Sequence, residues 1–262
     1  MYGLKPVPFN EVSFSAASKD HRSFKQCGTT KPVEKEGREV KPDQEPFGAE
    51  GFVLAGGRST RMGQDKALLF LAGRSLLDLA LDKLRALPLA GAPRIAAARS
   101  DLSVHATVIA DLHPGCGPLS GIEAALAASA QPLTVFLPVD LPLLPPPFLL
   151  WMLQRAAITG ALVTVPRING WPQPLCAVYH RALLGPISAS LLAGEHKVMP
   201  VVTAAARANS STLNIDIFDV ERVASTQAQM PAFSPLPLYR WFHNCNRPED
   251  MAGMGNALVL TQ

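Results

Sequence analysis

Apolar residues fall along this chain in short unbroken runs separated by segments in which they recur every three or four positions. Gly51-Phe52-Val53-Leu54-Ala55 and Leu133 to Val139 are runs of the first kind, as expected of strands covered on both faces. Arg94 to Ala98, Val104 to Ala110, Ala161 to Val165, Leu175 to Tyr179 and Tyr239 to Asn244 read as further strands. Between them lie helical patterns. One starts at Ser75, where Ser75 and Asp78 form an S-x-x-D capping signature ahead of Leu76, Leu77, Leu79 and Leu84. Others run from Pro118 to Ala130, with proline in the first turn, from Phe148 to Ala157, and from Arg181 to Leu192 with Gly194 as its C-terminal glycine. A last short helix opens at Pro248-Glu249-Asp250. Strand and helix alternate throughout, which predicts an α/β fold: a three-layer, Rossmann-like domain around a mostly parallel sheet.

The first part of the chain lacks this pattern. Of its first 50 residues 16 are charged, against 29 of the remaining 212, and no helical or strand period runs through them. Residues 1–48 are therefore expected to form a disordered extension, or a short docking arm, and 49–262 the folded domain. The stretch Gln131 to Leu153 is apolar enough to suggest a membrane helix. It carries Asp140 and six prolines from Pro132 to Pro147, so it reads as a buried strand and a proline-rich loop.

Composition narrows the function classes. The net charge of +3 comes from 24 basic and 21 acidic residues with no basic block, which argues against nucleic acid or a membrane surface as partner. Cys27, Cys116, Cys176 and Cys245 are too scattered for a zinc ribbon and point to a reduced, cytoplasmic setting, and no apolar leader follows the early lysine. His113 and Cys116 flank a glycine loop, but neither has a partner at the spacing nucleophilic catalysis requires; His105, His180 and His196 read as surface or packing residues.

The chemistry concentrates after the first strand, in Leu54-Ala55-Gly56-Gly57-Arg58-Ser59-Thr60-Arg61-Met62-Gly63-Gln64-Asp65-Lys66. A strand emptying into glycines lets backbone N–H groups approach a phosphate, and Arg61 and Lys66 add two cations beside it. The run matches neither the P-loop nor the dinucleotide pattern. Asp140 ends a buried strand, where ligands of open α/β sheets collect, and a carboxylate there can hold Mg²⁺ or simply cap a loop. Asp111, Asn244 and Asn246 are equally at home in ordinary turns.

The thirteen residues from Leu54 to Lys66 resemble the signature LAGG-x-S-x-R-M-G-x-D-K of the molybdenum cofactor guanylyltransferase family at every specified position. The resemblance extends from about residue 51 to 253. Asp111 followed by Gly117-Pro118-Leu119-Ser120-Gly121 is similar to the family's D…GPL-[AS]-G element, and Pro138-Val139-Asp140-Leu141-Pro142 to its P-x-D-x-P. Gly194 to Met199 and Asn244 to Glu249 resemble its G-E-x-x-V-M and N-x-N-x-P-E segments. Two departures stand out: Ala96 occupies a place where some relatives have asparagine, and residues 207 to 237 are longer and less regular.

What the resemblance implies is Mg²⁺-dependent transfer of GMP from GTP to the phosphate of molybdenum–molybdopterin. Arg61, Lys66 and Asp140 would be catalytic, with Asp140 the metal ligand. Leu54, Ala55, Gly56, Gly57, Lys66, Asp111, Gly117, Pro118 and Asp140 would bind nucleotide, and Asn244 and Asn246 the acceptor. Partners beyond the substrates would be transient, namely molybdoenzymes or other cofactor-biosynthesis proteins. A cytidylyl or sugar-phosphate nucleotidyltransferase is the alternative within the fold, although Leu54-Ala55-Gly56-Gly57 favours guanine. A nucleotide-binding regulatory protein without turnover is the alternative outside it.

Overall fold

The computed structural model describes residues 48–56, 65–209, 215–226, 230–246, 250–251 and 253–259. The expected N-terminal extension lies outside them apart from Gly48, as do Gly57 and Arg61. The described residues fall in one compact unit, Asp43–Gln262.

Strand β1 (Ala49–Leu54) occupies the middle of the sheet and leads, through the small β2–β3 hairpin (Phe70–Leu71, Arg74–Ser75), into helix α1 (Leu76–Arg85). Strands β4 (Arg94–Ala96) and β5 (Val108–Ile109) extend the sheet to one side; helix α2 (Pro118–Ala128) then returns the chain to β6 (Leu133–Pro138) on the other side of β1. After α3 (Pro146–Thr159) come β7 (Val163–Ile168), β8 (Trp171–Pro172) and β9 (Ala177–His180). Helices α4 (Leu184–Leu192) and α5 (Val198–Asn209), strand β10 (Ile215–Asp219), and helices α6 (Val220–Thr226), α7 (Leu238–Trp241) and α8 (Gly255–Val259) follow. The sheet order is β10-β7-β9-β6-β1-β4-β5, with β8 paired to β7. Pairings β1–β4, β1–β6, β4–β5 and β7–β10 are parallel, whereas β9 runs antiparallel to both its neighbours.

Period-two alternation in β1 feeds two separate cores. Ala49, Val53 and Ala55 join the buried cluster with α1 and α3, while Phe52 and Leu54 join the one with α2, α4 and α5. A strand buried on both faces has no polar side to show, which is why its sequence reads as an unbroken apolar run. Helix α1 begins as its sequence predicts: Ser75 Oγ accepts from the Asp78 N–H at 3.0 Å, a cap worth about 1 kcal/mol. Helix α4 ends in a left-handed Gly194 (φ +82°), with Gly194 N–H bonded to Leu191 O and Glu195 N–H to Ser190 O.

Two expected strands differ. Val104 to Ala110 yields only Val108–Ile109, because β4 offers a three-residue edge and Val104 sits, 84% exposed, in a preceding helical turn. Tyr239 to Asn244 is not a strand at all. Pro237 caps the single turn α7, and this curl turns Trp241 and Phe242 onto Phe148, with ring centroids 5.7 and 5.6 Å away. The Trp241 indole N–H donates to Leu236 O at 3.0 Å, satisfying its one polar atom inside that aromatic cluster. Among the described residues no helix is long and apolar enough to cross a membrane.

The register places the site. Leu54 aligns with Ala96 of β4 and with Pro138 of β6, so three parallel strands end together, and β5 ends beside Ala96 through Ile109. The chain leaves β1 toward β4 on one side and returns at β6 on the other, so the crevice lies at the reversal of strand order. Beyond β6 the loop is gripped from below: the buried Lys83 of α1 donates from Nζ to Pro142 O at 2.7 Å.

Burial lowers the Lys83 pKa from 10.5 to about 8, and Arg74 adds to the effect. The unfolded chain therefore binds more protons between those values, and stability attributable to Lys83 rises as pH climbs from about 8 to 10.5. Measured against Lys83→Met by chemical denaturation, the wild type should gain up to about 3 kcal/mol across that window; parallel curves would show that the ammonium is not desolvated.

Candidate active site

The carboxyl ends of β1, β4 and β6 and the start of α2 enclose a cavity of about 290 Å³. Leu54, Ala55 and Gly56 form its floor at the end of β1, and Ala55 N–H continues the ladder by donating to Ala96 O at 3.1 Å. Among the described residues, a Cβ on Gly56 would meet nothing within 4 Å. Gly117 and Pro118 bound the cavity on the side of α2. Gly117 has φ +73°, a turn that a side chain would strain, and Pro118 then starts the helix with its φ already set.

Three distant segments meet at Lys66. Its Nζ lies 2.8 Å from Asp140 Oδ2 and 2.6 Å from Asn246 Oδ1. The lysine is aimed by the residue before it: Asp65 caps the short turn Lys66–Leu68, with Oδ1 accepting from Ala67 N–H at 3.1 Å, and its other oxygen pairs with Arg99. Asp140 is reached through β6, and its carbonyl accepts from Cys245 N–H at 2.9 Å, which carries Asn246 to the lysine. Asn246 N–H in turn donates to Asp250 Oδ2 at 2.8 Å. Asn244 is exposed and does not line the cavity. The lysine and aspartate side chains are 17% and 24% exposed, so each charge is partly desolvated and depends on the other.

Asp111 stands differently. It lines the same cavity, but its Oδ1 is buried with no hydrogen-bond partner among the described residues, and burial pushes its pKa up. An orphaned carboxylate oxygen beside a cavity is a place where a ligand donor or cation would be welcome. Among the described residues no three His, Cys, Asp or Glu side chains cluster as a metal cage. Three carboxylates line the cavity: Asp65, already engaged by Ala67 N–H and Arg99, and Asp111 and Asp140, either of which could serve a cation such as Mg²⁺ that keeps one or two protein ligands and takes the rest from phosphate and water.

Of the residues singled out from sequence, Leu54, Ala55, Gly56, Lys66, Asp111, Gly117, Pro118 and Asp140 line this one cavity, and Asn246 reaches it through Lys66. Arg61 and Gly57 lie outside the described residues. Sequence reasoning passed over Asp65 and Leu175. Asp65 had a signal, its place beside Lys66; Leu175, on the loop into β9, had none. Ala96 also lines the cavity, presenting a methyl group to it.

Three histidines have partners that the sequence did not suggest. His105 pairs with Asp78 at 2.8 Å, His113 with Glu123 at 2.7 Å, and His180 Nδ1 accepts from Ala182 N–H at 3.1 Å. Separations of 27 and 10 residues hid the first two partners. Burial pushes the Cys176 and Cys245 thiols up, away from the nucleophilic thiolate.

Comparison with known proteins places this arrangement. Residues 51–208 match the family model described as the MobA-like NTP transferase domain. A molybdenum cofactor guanylyltransferase from Xanthomonas euvesicatoria is 34% identical over 201 residues, covering 76% of this chain and 90% of that protein. The chain belongs to the MobA-like NTP transferase family. A probable molybdenum cofactor guanylyltransferase from Pelotomaculum thermopropionicum is 35% identical over 151 residues, which cover 58% of this chain and 73% of the relative. The crystal structure of molybdopterin-guanine dinucleotide biosynthesis protein A from Archaeoglobus fulgidus superposes with a TM-score of 0.62 at 22% identity, over 79% of this chain and 97% of that one. The fold is shared more widely: 2-C-methyl-D-erythritol 4-phosphate cytidylyltransferase from Thermus thermophilus superposes at TM-score 0.53 and 15% identity, over 78% and 96% of the two chains. A shared fold does not by itself fix the substrate.

Asp111 supplies a direct test of the cavity's electrostatics. Its folded-state pKa lies above the ordinary 3.8, so the native form holds the proton longer and wild-type stability falls as pH rises through that interval. Asp111→Asn should therefore raise the melting temperature at neutral pH and flatten its decline above pH 3.8, while shrinking the stabilisation given by a nucleoside triphosphate. A lower melting temperature with undiminished nucleotide stabilisation would mean that the carboxylate serves the fold.

Proposed function

We propose that this chain transfers GMP from GTP to the terminal phosphate of molybdenum–molybdopterin, releasing pyrophosphate. The observation that carries the reading is the convergence of Lys66, Asp140 and Asn246 on one cavity floored by Leu54-Ala55-Gly56. The names of the similar guanylyltransferases supply the substrates. In the reaction an oxygen of the acceptor phosphate attacks the α-phosphorus of GTP in line. A new phosphorus–oxygen bond forms as the bond to pyrophosphate breaks, and the pyrophosphate leaves with the electron pair.

Each residue has a part that its surroundings allow. The backbone at Gly56 and Gly57 would cradle the nucleotide, with Gly117 and Pro118 closing the opposite wall and Asp111 offering an acceptor to the guanosine. Lys66, freed from Asp140 as phosphate oxygens enter, would neutralise charge gathering on the α-phosphate, and Arg61 would do the same on the leaving pyrophosphate. Asn246, hydrogen-bonded to Lys66, would hold the acceptor beside that ammonium, with the exposed Asn244 as its second contact. Asp140 would hold Mg²⁺, which when bound supplies charge neutralisation on the triphosphate.

Base choice is the finer part of this reading, because a cytidylyltransferase shares the fold. With purified protein, Mg²⁺ and molybdenum–molybdopterin, label from α-³²P-GTP should pass to the acceptor, and label from CTP or ATP should not. GTP should likewise raise the melting temperature more than CTP or ATP. Equal transfer from CTP would replace the guanylyl assignment by a cytidylyl one. Asp140→Asn should lower turnover at least a hundredfold, roughly 3 kcal/mol in transition-state terms; a variant with near wild-type turnover would remove Asp140 from the machinery.

A further inference from the structure

Glu123, in the second turn of α2, is a charged side chain only 2% exposed. Its Oε2 accepts from His113 Nδ1 at 2.7 Å. A carboxylate is costly to bury unless something pairs with it, and here the partner comes from the loop between β5 and α2, not from the sheet. The same histidine is fixed twice more through its backbone: its N–H donates to Ser120 Oγ at 3.0 Å, and its carbonyl accepts from Cys116 N–H at 3.2 Å. Beyond it the loop passes through Gly115 and Gly117 at φ +89° and +73°, where glycine gives the chain little stiffness of its own.

The loop's place in the fold gives this tether its meaning. Asp111 lies two residues before His113, and Gly117 and Pro118 follow shortly after; all three line the cavity. His113 itself is absent from the lining, and its side chain is 30% exposed. The wall formed by the β5–α2 loop is thus held to α2 by a residue that does not itself border the nucleotide space.

We propose that the His113–Glu123 pair is a positioning device for the nucleotide: it holds the Asp111–Pro118 loop against α2 in the conformation that receives GTP. The inference rests on the guanylyl-transfer reading and adds to it a determinant of substrate affinity. His113 acts through the loop, while neutralisation of phosphate charge stays with Lys66 and Asp140. Loosening the tether should therefore weaken GTP binding and leave the chemical step largely intact.

The test separates positioning from folding. His113→Leu leaves Glu123 buried without a partner, so its melting temperature should fall. The double variant His113→Leu/Glu123→Leu replaces both partners with apolar groups and should recover the melting temperature. If the pair positions the loop, the double variant still shows a KM for GTP raised about tenfold, with kcat within about threefold of wild type. Glu123→Gln, whose amide oxygen can still accept from His113, should return KM to within about threefold of wild type. A double variant with both wild-type melting temperature and wild-type KM overturns the proposal. Wild-type protein that binds nucleotide but transfers no GMP would defeat the guanylyl reading alone, and the pair would then be judged on nucleotide Kd, where the same tenfold weakening is expected. Wild-type protein that binds no nucleotide overturns both.

Discussion

The ion pair between Lys66 and Asp140 is the contact on which the rest of the site depends. It joins the segment following β1 to the segment following β6, 74 residues later, and Asn246 binds the same ammonium from 180 residues away. Each charge is too enclosed to be indifferent to losing the other. An arrangement of this kind is balanced without ligand and ready to be rebalanced by one. On the proposed reading triphosphate oxygens would compete for the lysine and a divalent cation for the aspartate, so that a metal–nucleotide complex would displace the pair without leaving an uncompensated charge.

The sheet makes that pair possible. Parallel strands whose ends align at Leu54, Ala96 and Pro138 bring loops from both sides of the strand-order reversal to one crevice. The apolar layers above and below the sheet hold the strand ends still. Lys83 beneath the Asp140 loop and the His113–Glu123 tether beside Asp111 are polar fixings in otherwise apolar surroundings. Both act on loops rather than on strands, which is where a rigid scaffold needs help.

Much of this was legible in the sequence because it is local. The unbroken apolar run at β1, the Ser75–Asp78 cap, the proline opening α2 and Gly194 closing α4 each declare themselves within a few residues. The strand expected at Tyr239 to Asn244 failed because its aromatic residues answer to Phe148, some ninety positions earlier, rather than to a neighbouring strand. Shorter separations, of 27 and 10 residues, hid the partners of His105 and His113, and Leu175 has no motif to mark it. The residues lining the cavity were easier to single out than their supports, since glycines and cations packed into one loop are a chemical signal and a buried tether is not.

The central claim is that Asp140 recruits a divalent cation together with the nucleotide, taking the place that Lys66 holds without ligand. Electron paramagnetic resonance with Mn²⁺ as the probe and a non-hydrolysable GTP analogue tests it most directly. The wild type should convert the spectrum of the free Mn²⁺–nucleotide complex to that of an ion bound to the protein, and Asp140→Asn should leave the free spectrum unchanged. Undiminished Mn²⁺ binding in Asp140→Asn, at the same nucleotide occupancy, would contradict the account.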